Sequence, residues 1–353
     1  MPGGHAARLI DGEGAVGALE EAGWDTLLDR AGRRDPLRRC AVLRIAGPTA
    51  PSSPTGRALL IERGGSVVAG AALAVARERG LRTVRHMGSS QNWFEPEPPA
   101  LGDDACRALA RALVSQPGDI LILEEIAAQS PLVTALRELR PDAELLPGPW
   151  SYRVAARERG SRMAARRREA GRLARRAADR GTPLRLTSTA QWSVIAPQLD
   201  ELLGLQARAW EGRGGDVFTA SPDGRAFVRA AIAAVGAEER ARLTRIDVGG
   251  TLAAFHLSLV WGTSAVVYKT AFDRDLRGLP GLGWASLLAT LDLLSSEGVH
   301  SIDLGTWGGG YKSHIAEPVP MVTMRVALSP AGRAYLVVAG AKHRVADAVR
   351  RRP

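Results

Sequence analysis

Apolar residues in this chain come in short runs whose period switches between two and about three and a half, and the switches mark the elements. Residues 57–88, RALLIERGGSVVAGAALAVARERGLRTVRHMG, hold apolar runs joined at Gly64-Gly65 and at Arg79-Gly80, which predicts a strand meander and not helices. ACRALARALVSQ (105–116) predicts a helix, DILILEEI (119–126) a buried strand and PLVTALREL (131–139) a further helix, ahead of a break at Pro147-Gly148-Pro149. Upstream, WDTLLDRAG (24–32) predicts a short amphipathic helix ended by Gly32, and the Pro-rich loop GPTAPSSPTG (47–56) separates it from the meander. Residues 1–18 show no period and are expected to form a loose arm.

The second half repeats this order. ARLTRIDVGGTLAAFHLSLVWGTSAVVYKTAFD (241–273) has the same strand, Gly-Gly turn, strand, Gly turn, strand arrangement, with Gly249-Gly250 about 185 residues after Gly64-Gly65. GLGWASLLATLDLLSSEG (281–298) then predicts a helix and HSIDLG (300–305) a strand, at nearly the same offset from their first-half counterparts. One offset shared by a hairpin, a helix and a strand points to duplicated domains. Between the halves, SRMAARRREAGRLARRAADRGTP (161–183) has strong helix formers and a stop at Gly181-Thr182-Pro183, so it is expected to be a charged linker helix. Met163, Ala170, Leu173 and Ala177 give it a thin apolar stripe. The expected organisation is an N-terminal arm (1–18), a first domain (19–152), a basic linker helix (153–182), a second domain (183–330) and a basic tail (331–353).

Length and charge refine this picture. At 353 residues with 45% hydrophobic side chains the chain suits two globular domains, each of α+β class. The longest apolar stretch, Leu252 to Trp261, is interrupted by His256 and Ser258 and is too short to span a bilayer, and the first residues lack the apolar core of a signal peptide. A cytoplasmic location and no membrane span are therefore expected. Cys40 and Cys106 are the only cysteines and lie far apart, so neither a disulfide framework nor a zinc site is expected. The net charge of +10 is carried almost wholly by arginine, because Lys269, Lys312 and Lys342 are the only lysines. The segment from Arg153 to Arg180 holds eleven arginines against Glu158, Glu169 and Asp179. It can be a solvated helix or a polyanion-binding face, and the absence of aromatic residues within it argues against base stacking.

The most informative chemistry lies where a strand runs into the turn Arg277-Gly278-Leu279-Pro280-Gly281-Leu282-Gly283-Trp284 and then a long helix. Glycines allow close backbone approach, the first N–H groups of the helix can hold a phosphate, and Arg277 adds charge. Farther on, Asp303 alternates with Ile302 and Leu304 on a strand and can face a cleft as a base or simply point outward. Tyr311 and Lys312 follow GTWGGG: Tyr311 can protonate a leaving group or only pack its ring, and Lys312 can pair with a phosphate or carboxylate or be solvated. His256 shares a sheet face with Ala254 and Ser258, and a satisfied structural histidine competes with a catalytic one. Tyr268, Asp273 and Trp307 can line the same cleft, with Trp93 at the matching place in the first half, whereas Trp210 and Trp284 are as suited to the core. No Ser-His-Asp order, metal cluster, Walker loop or strand-initial GxGxxG is found.

These residues resemble the GNAT acyltransferases, whose pyrophosphate loop reads Arg or Gln, two residues, Gly, one residue, Gly or Ala. Arg277 and Gly281-Leu282-Gly283 match it with one extra residue. Over residues 20–330 the chain is similar to double-GNAT proteins of the Fem-like and cellulose-biosynthesis-type branch. That resemblance rests on the Arg-rich helix, Trp210, Tyr268-Lys269, the Leu-Pro-Gly turn, Asp303-Leu304-Gly305 and Gly310-Tyr311-Lys312. It implies two tandem GNAT-like domains, each a mixed, mostly antiparallel sheet flanked by helices, joined by the Arg-rich helix. It further implies acyl-CoA as co-substrate on the 277–284 turn and N-acylation of a small-molecule amine, with the first half binding acceptor or serving as structure. A Fem-like aminoacyl transfer from charged tRNA, weakened when Arg166, Arg167 and Arg168 become Ala, is the second reading. A non-catalytic scaffold is the third.

Overall fold

The protein is described by a computed structural model covering residues 4–46, 55–88, 97–155, 161–211, 218–276, 279–306 and 312–350. From the N-terminus come β1 (Ala6–Asp11), α1 (Gly14–Glu21), α2 (Trp24–Arg30), α3 (Cys40–Ala46), β2 (Thr55–Arg63), β3 (Ser66–Glu78) and β4 (Leu81–His86). Then follow α4 (Asp103–Ser115), β5 (Ile120–Ala127), α5 (Pro131–Leu139), β6 (Glu144–Ala155) and α6 (Ser161–Asp179). The second half holds β7 (Leu184–Thr189), α7 (Trp192–Ile195), α8 (Leu199–Trp210), α9 (Pro222–Gly236), β8 (Ala241–Val248), β9 (Thr251–Trp261) and β10 (Ser264–Phe272). It closes with α10 (Leu282–Ser296), β11 (Ser301–Asp303), β12 (Glu317–Ala327) and α11 (Pro330–Arg350). The chain divides into two units, one of Met1–Arg33, Ala46–Pro149 and Pro320–Pro353, the other of Arg34–Ile45 and Trp150–Val319.

In the first unit the strands run in the order β1-β2-β3-β4-β5-β12. The Gly64-Gly65 turn has φ of +59° and +77°, the two-residue geometry that matches strand twist and that side chains resist. A crossover through α4 then brings β5 parallel to β4, with Thr83 to Arg85 opposite Ile120 to Ile122. Leu109 and Leu113 of α4 pack on Leu59, Ile61, Leu73 and Val84 with Leu132 and Leu136 of α5, all fully or nearly fully buried.

The second unit repeats that path: strand order β6-β11-β10-β9-β8-β7, a Gly249-Gly250 turn at φ +60° and +82°, and a crossover through α10 to β11, which lies parallel to β10. Leu287, Leu288, Leu291 and Leu294 of α10 bury against Ala265, Val267 and Ile302 of the sheet.

Several sequence expectations are corrected. The arm at 1–18 is instead β1, in register with β2 from Ala6 opposite Glu62 to Asp11 opposite Arg57, followed by α1, whose Ala15 and Leu19 are buried. An edge strand needs only a partner's free hydrogen-bonding edge, which leaves little apolar period to read. The Pro147-Gly148-Pro149 break is instead interior to β6. Prolines two apart drop their missing donors on one side of the strand, so the other side can still pair. Gly148 allows the neighbouring backbone close, since a Cβ there would meet Met321 O at 3.0 Å. The linker helix is an integral part of the second unit, because Met163 joins one of its cores and Leu173 and Ala177 the other. Arg34–Ile45, expected in the first domain, belongs to the second unit, and the expected tail is helix α11 of the first.

Helix α11 is tied down at its start: Ser329 Oγ accepts from Gly332 N at 3.1 Å and donates to Asp119 at 2.6 Å. A Cβ on Gly332 would stand 1.9 Å from Asp119 O, a backbone atom that cannot swing aside. Gly332→Ala is therefore expected to cost about 1–3 kcal/mol, the usual penalty of overpacking, read as a lower urea midpoint at unchanged m-value.

Candidate active site

β10 and β11 pair over only three positions, ending at Val266 opposite Asp303. β10 continues to Phe272, still paired on its other side with β9 through Phe272 opposite Ala254. Beyond the fork, Val267–Phe272 therefore keeps one backbone edge that β11 does not cover. A register shift between Val267 and Lys269 leaves Tyr268 as a bulge at the fork, a device that re-aims side chains.

The end of β11 carries a buried ionic cluster. Asp303, its side chain 12% exposed, accepts from Gly305 N at 2.6 Å and from Ser151 Oγ at 3.3 Å, with Arg153 at 3.9 Å. Lys312, 6% exposed, donates through Nζ to Gly305 O at 3.3 Å. Burial pushes the Asp303 carboxyl above the usual carboxylate range, against the pull of Gly305 N–H, Arg153, Ser151 and Lys312. Burial lowers Lys312 to about 8, with the Asp303 charge opposing the fall. A third buried acid, Asp35, accepts from Leu37 N at 2.9 Å. Burial pushes Asp35 up to about 7; Leu37 N–H and Arg38 resist, and Asp303 adds to the rise.

Helix α10 starts at the same end of the sheet. Its N-cap, Gly281, has φ +103°, and because Ala285 N already donates to Gly281 O, the backbone N–H groups of Leu282 and Gly283 lie in the first turn, ahead of the helix's own hydrogen-bond ladder. Asp273 N donates to Ala253 O at 2.7 Å, and its carboxylate caps Asp275 N at 2.9 Å, so this residue shapes the turn leaving β10. Arg166 lies over the Trp284 ring at 4.6 Å and pairs with Glu169 at 2.8 Å. His256 Nδ1 lies 2.8 Å from Ser286 Oγ, whose hydroxyl can also donate to Gly283 O at 3.3 Å. Burial first, then the Lys312 charge, lowers His256 to about 3. NMR of the imidazole should accordingly show a neutral ring with no titration between pH 8 and 5; a titration near 6.5 would contradict this packing.

Residues 164–313, from inside α6 to just past Lys312, match the family model described as an acetyltransferase (GNAT) domain. Three solved structures share the fold over most of both chains. A domain named as the C-terminal part of a lysylphosphatidylglycerol synthetase from Agrobacterium fabrum is 14% identical, with a TM-score of 0.56 over 89% of this chain and 95% of that one. A tandem GNAT protein from the clavulanic acid biosynthesis pathway is 15% identical, with a TM-score of 0.51 over 92% of this chain and 99% of that one. Residues 164–313 thus match a GNAT domain, and the chain as a whole shares the fold of tandem GNAT structures. FemX is similar at 9% identity and a TM-score of 0.52, over 77% of this chain and 88% of that one. No curated protein matches the sequence.

The second unit brings together Asp303, Lys312, His256, Tyr268 and the Gly281-Leu282-Gly283-Trp284 start of α10. Tyr268 is buried beside Lys269, and Leu282 sends its side chain into the core and leaves only its backbone at the turn. Tyr311, Arg277, Gly278, Trp307 and Trp93 lie outside the described residues. Asp35, Ser151 and Arg153 join the cluster without a sequence motif. The one local signal at Asp35 is a short acid before a proline, which predicts a turn and not a site.

Proposed function

We propose that the protein is an N-acyltransferase that moves an acyl group from acyl-CoA to the amine of a small metabolite, sugar or amino-acid-like acceptor. The observation that carries this reading is the fork: the donor's extended amide chain can run along the Val267–Phe272 edge that β11 does not cover, while its diphosphate meets the N-terminus of α10. Asp303 and Lys312 stand where the thioester carbonyl then falls. Asp303 takes the proton from the attacking amine as the N–C bond forms. Lys312 donates a hydrogen bond to the developing oxyanion and passes a proton to the departing thiolate as the C–S bond breaks. Burial suits both groups to the task, since it brings an acid up and an amine down toward neutral pH. Mass spectrometry of ligands that copurify with the protein tests the reading. CoA or acyl-CoA is the expected finding, and a folded protein that carries neither CoA nor RNA would favour a scaffold role.

A second reading, aminoacyl transfer from tRNA, is favoured by one face of α6. Arg168, Arg172 and Arg175 recur at helical spacing on the side opposite Met163, Leu173 and Ala177, and form no ion pair among the described residues. Arg166 and Arg167 are engaged, the first with Glu169 and Trp284 and the second with Asp292 at 2.6 Å, so they are the wrong pair to test. This reading predicts tRNA affinity that falls steeply with salt and drops about tenfold or more in a R168A/R172A/R175A variant, by electrophoretic shift. Absent or salt-insensitive binding would remove it.

A further inference from the structure

The first unit holds an open cavity of about 420 Å³ beside the C-terminal end of α4, walled by Thr55, Val75, Asp11, Arg57, Arg77 and Arg82. Arg77 and Arg82 are direct cross-strand partners on β3 and β4. Side chains so placed start about 5 Å apart at Cβ, and like charges there repel. The strands cannot slip to relieve this, because Arg79 and Gly80, at φ +51° and +85°, close the hairpin in a two-residue turn.

Nearby carboxylates are already occupied. Asp11 is gripped by Arg57 at 2.5 and 3.0 Å, and that guanidinium, 1% exposed, also donates to Gln116 Oε1 at 3.1 Å and Pro117 O at 2.8 Å. Asp119 accepts from the backbone N of Arg82 at 2.8 Å and from Ser329 Oγ at 2.6 Å, and it feels the Arg82 and Arg77 charges without forming a hydrogen bond or close ion pair with either guanidinium. Among the described residues, Arg77 and Arg82 thus keep both forks unpaired over a cavity whose walls carry more positive than negative charge.

We infer that this cavity binds the phosphate monoester group of a small soluble molecule, held between Arg77 and Arg82. A carboxylate, with two oxygens, fills one guanidinium fork, whereas the three terminal oxygens of a phosphate can bridge two. Thr55 and Val75 line the space left for the organic part, and the volume falls in the range of small-molecule sites. The inference does not depend on the acyl-transfer reading, since none of these residues belongs to the fork.

Calorimetric titration of the full chain with glycerol 3-phosphate and inorganic phosphate at low salt tests it. The expected result is one site per chain that weakens as salt rises, is about tenfold or more weaker in R77A/R82A, and is unchanged in R137A/R185A, which removes two exposed arginines elsewhere. Both arginines of the cavity pair are exposed, so R77A/R82A should keep the wild-type circular dichroism and unfolding midpoint. No saturable binding by the wild type, equal binding by R77A/R82A, or acetate binding as tight as phosphate would overturn it.

Discussion

Lys312→Met is expected to lower kcat/KM for acyl transfer by about a hundredfold to a thousandfold while leaving the fold intact, the usual loss when one oxyanion donor is removed. The side chain is buried, and burial lowers its ammonium to about 8 even with the Asp303 charge opposing the fall, so the charge is held at a cost. Methionine matches its length, and Asp303 keeps Gly305 N–H, Ser151 and Arg153 as partners, so the variant is expected to stay folded with a modest fall in thermal stability. That pairing of lost rate with a kept fold separates a catalytic role from a structural one. A variant equally active, or one that unfolds, would remove Lys312 from the mechanism. In the wild type the rate should fall as pH rises through about 8, where the ammonium loses its proton.

Asp303→Asn should cost at least as much, about a hundredfold to ten-thousandfold, because it removes the proton acceptor from the attacking amine. Its pH profile is the sharper readout. Asp303 raises the Lys312 value against burial, so removing its charge leaves burial unopposed. The alkaline limb of kcat/KM should then move below its wild-type position, and the acid limb that belongs to Asp303 should vanish. Both shifts follow from the sign of one interaction, and an alkaline limb that stayed in place or moved upward would contradict the coupling.

The parts of this fold that are local could be read from the residues. Gly64-Gly65 and Gly249-Gly250 both adopt positive φ at two successive positions, so each announces a hairpin by itself, and the helices and strands that follow announce themselves by period. What could not be read depends on partners distant in sequence. β1 exists because β2 offers it an edge, β6 passes through two prolines, and α6 looks like a solvated linker until its thin stripe meets two cores. The candidate site divides in the same way. Asp303, Lys312 and the glycine turn stand near one another along the chain, whereas Asp35 and Ser151 reach Asp303 only through the fold.

In the proposed reaction an acyl-CoA donor lies along the β10 edge that β11 does not cover, with its diphosphate at the start of α10. Gly283 is the second helical residue there, and a carboxylate at that position suits the helix dipole yet occupies and repels the place of the diphosphate. A Cβ at Gly283 would meet only the half-exposed Phe272 ring, at 3.1 Å, which can move. Calorimetric titration of acetyl-CoA and longer acyl-CoAs into the wild type and Gly283→Glu is thus the most direct test. One donor per chain in the wild type, and binding about tenfold or more weaker in a folded Gly283→Glu, is the predicted result. A folded wild type that binds no acyl-CoA, or a variant that binds it equally well, would contradict the account.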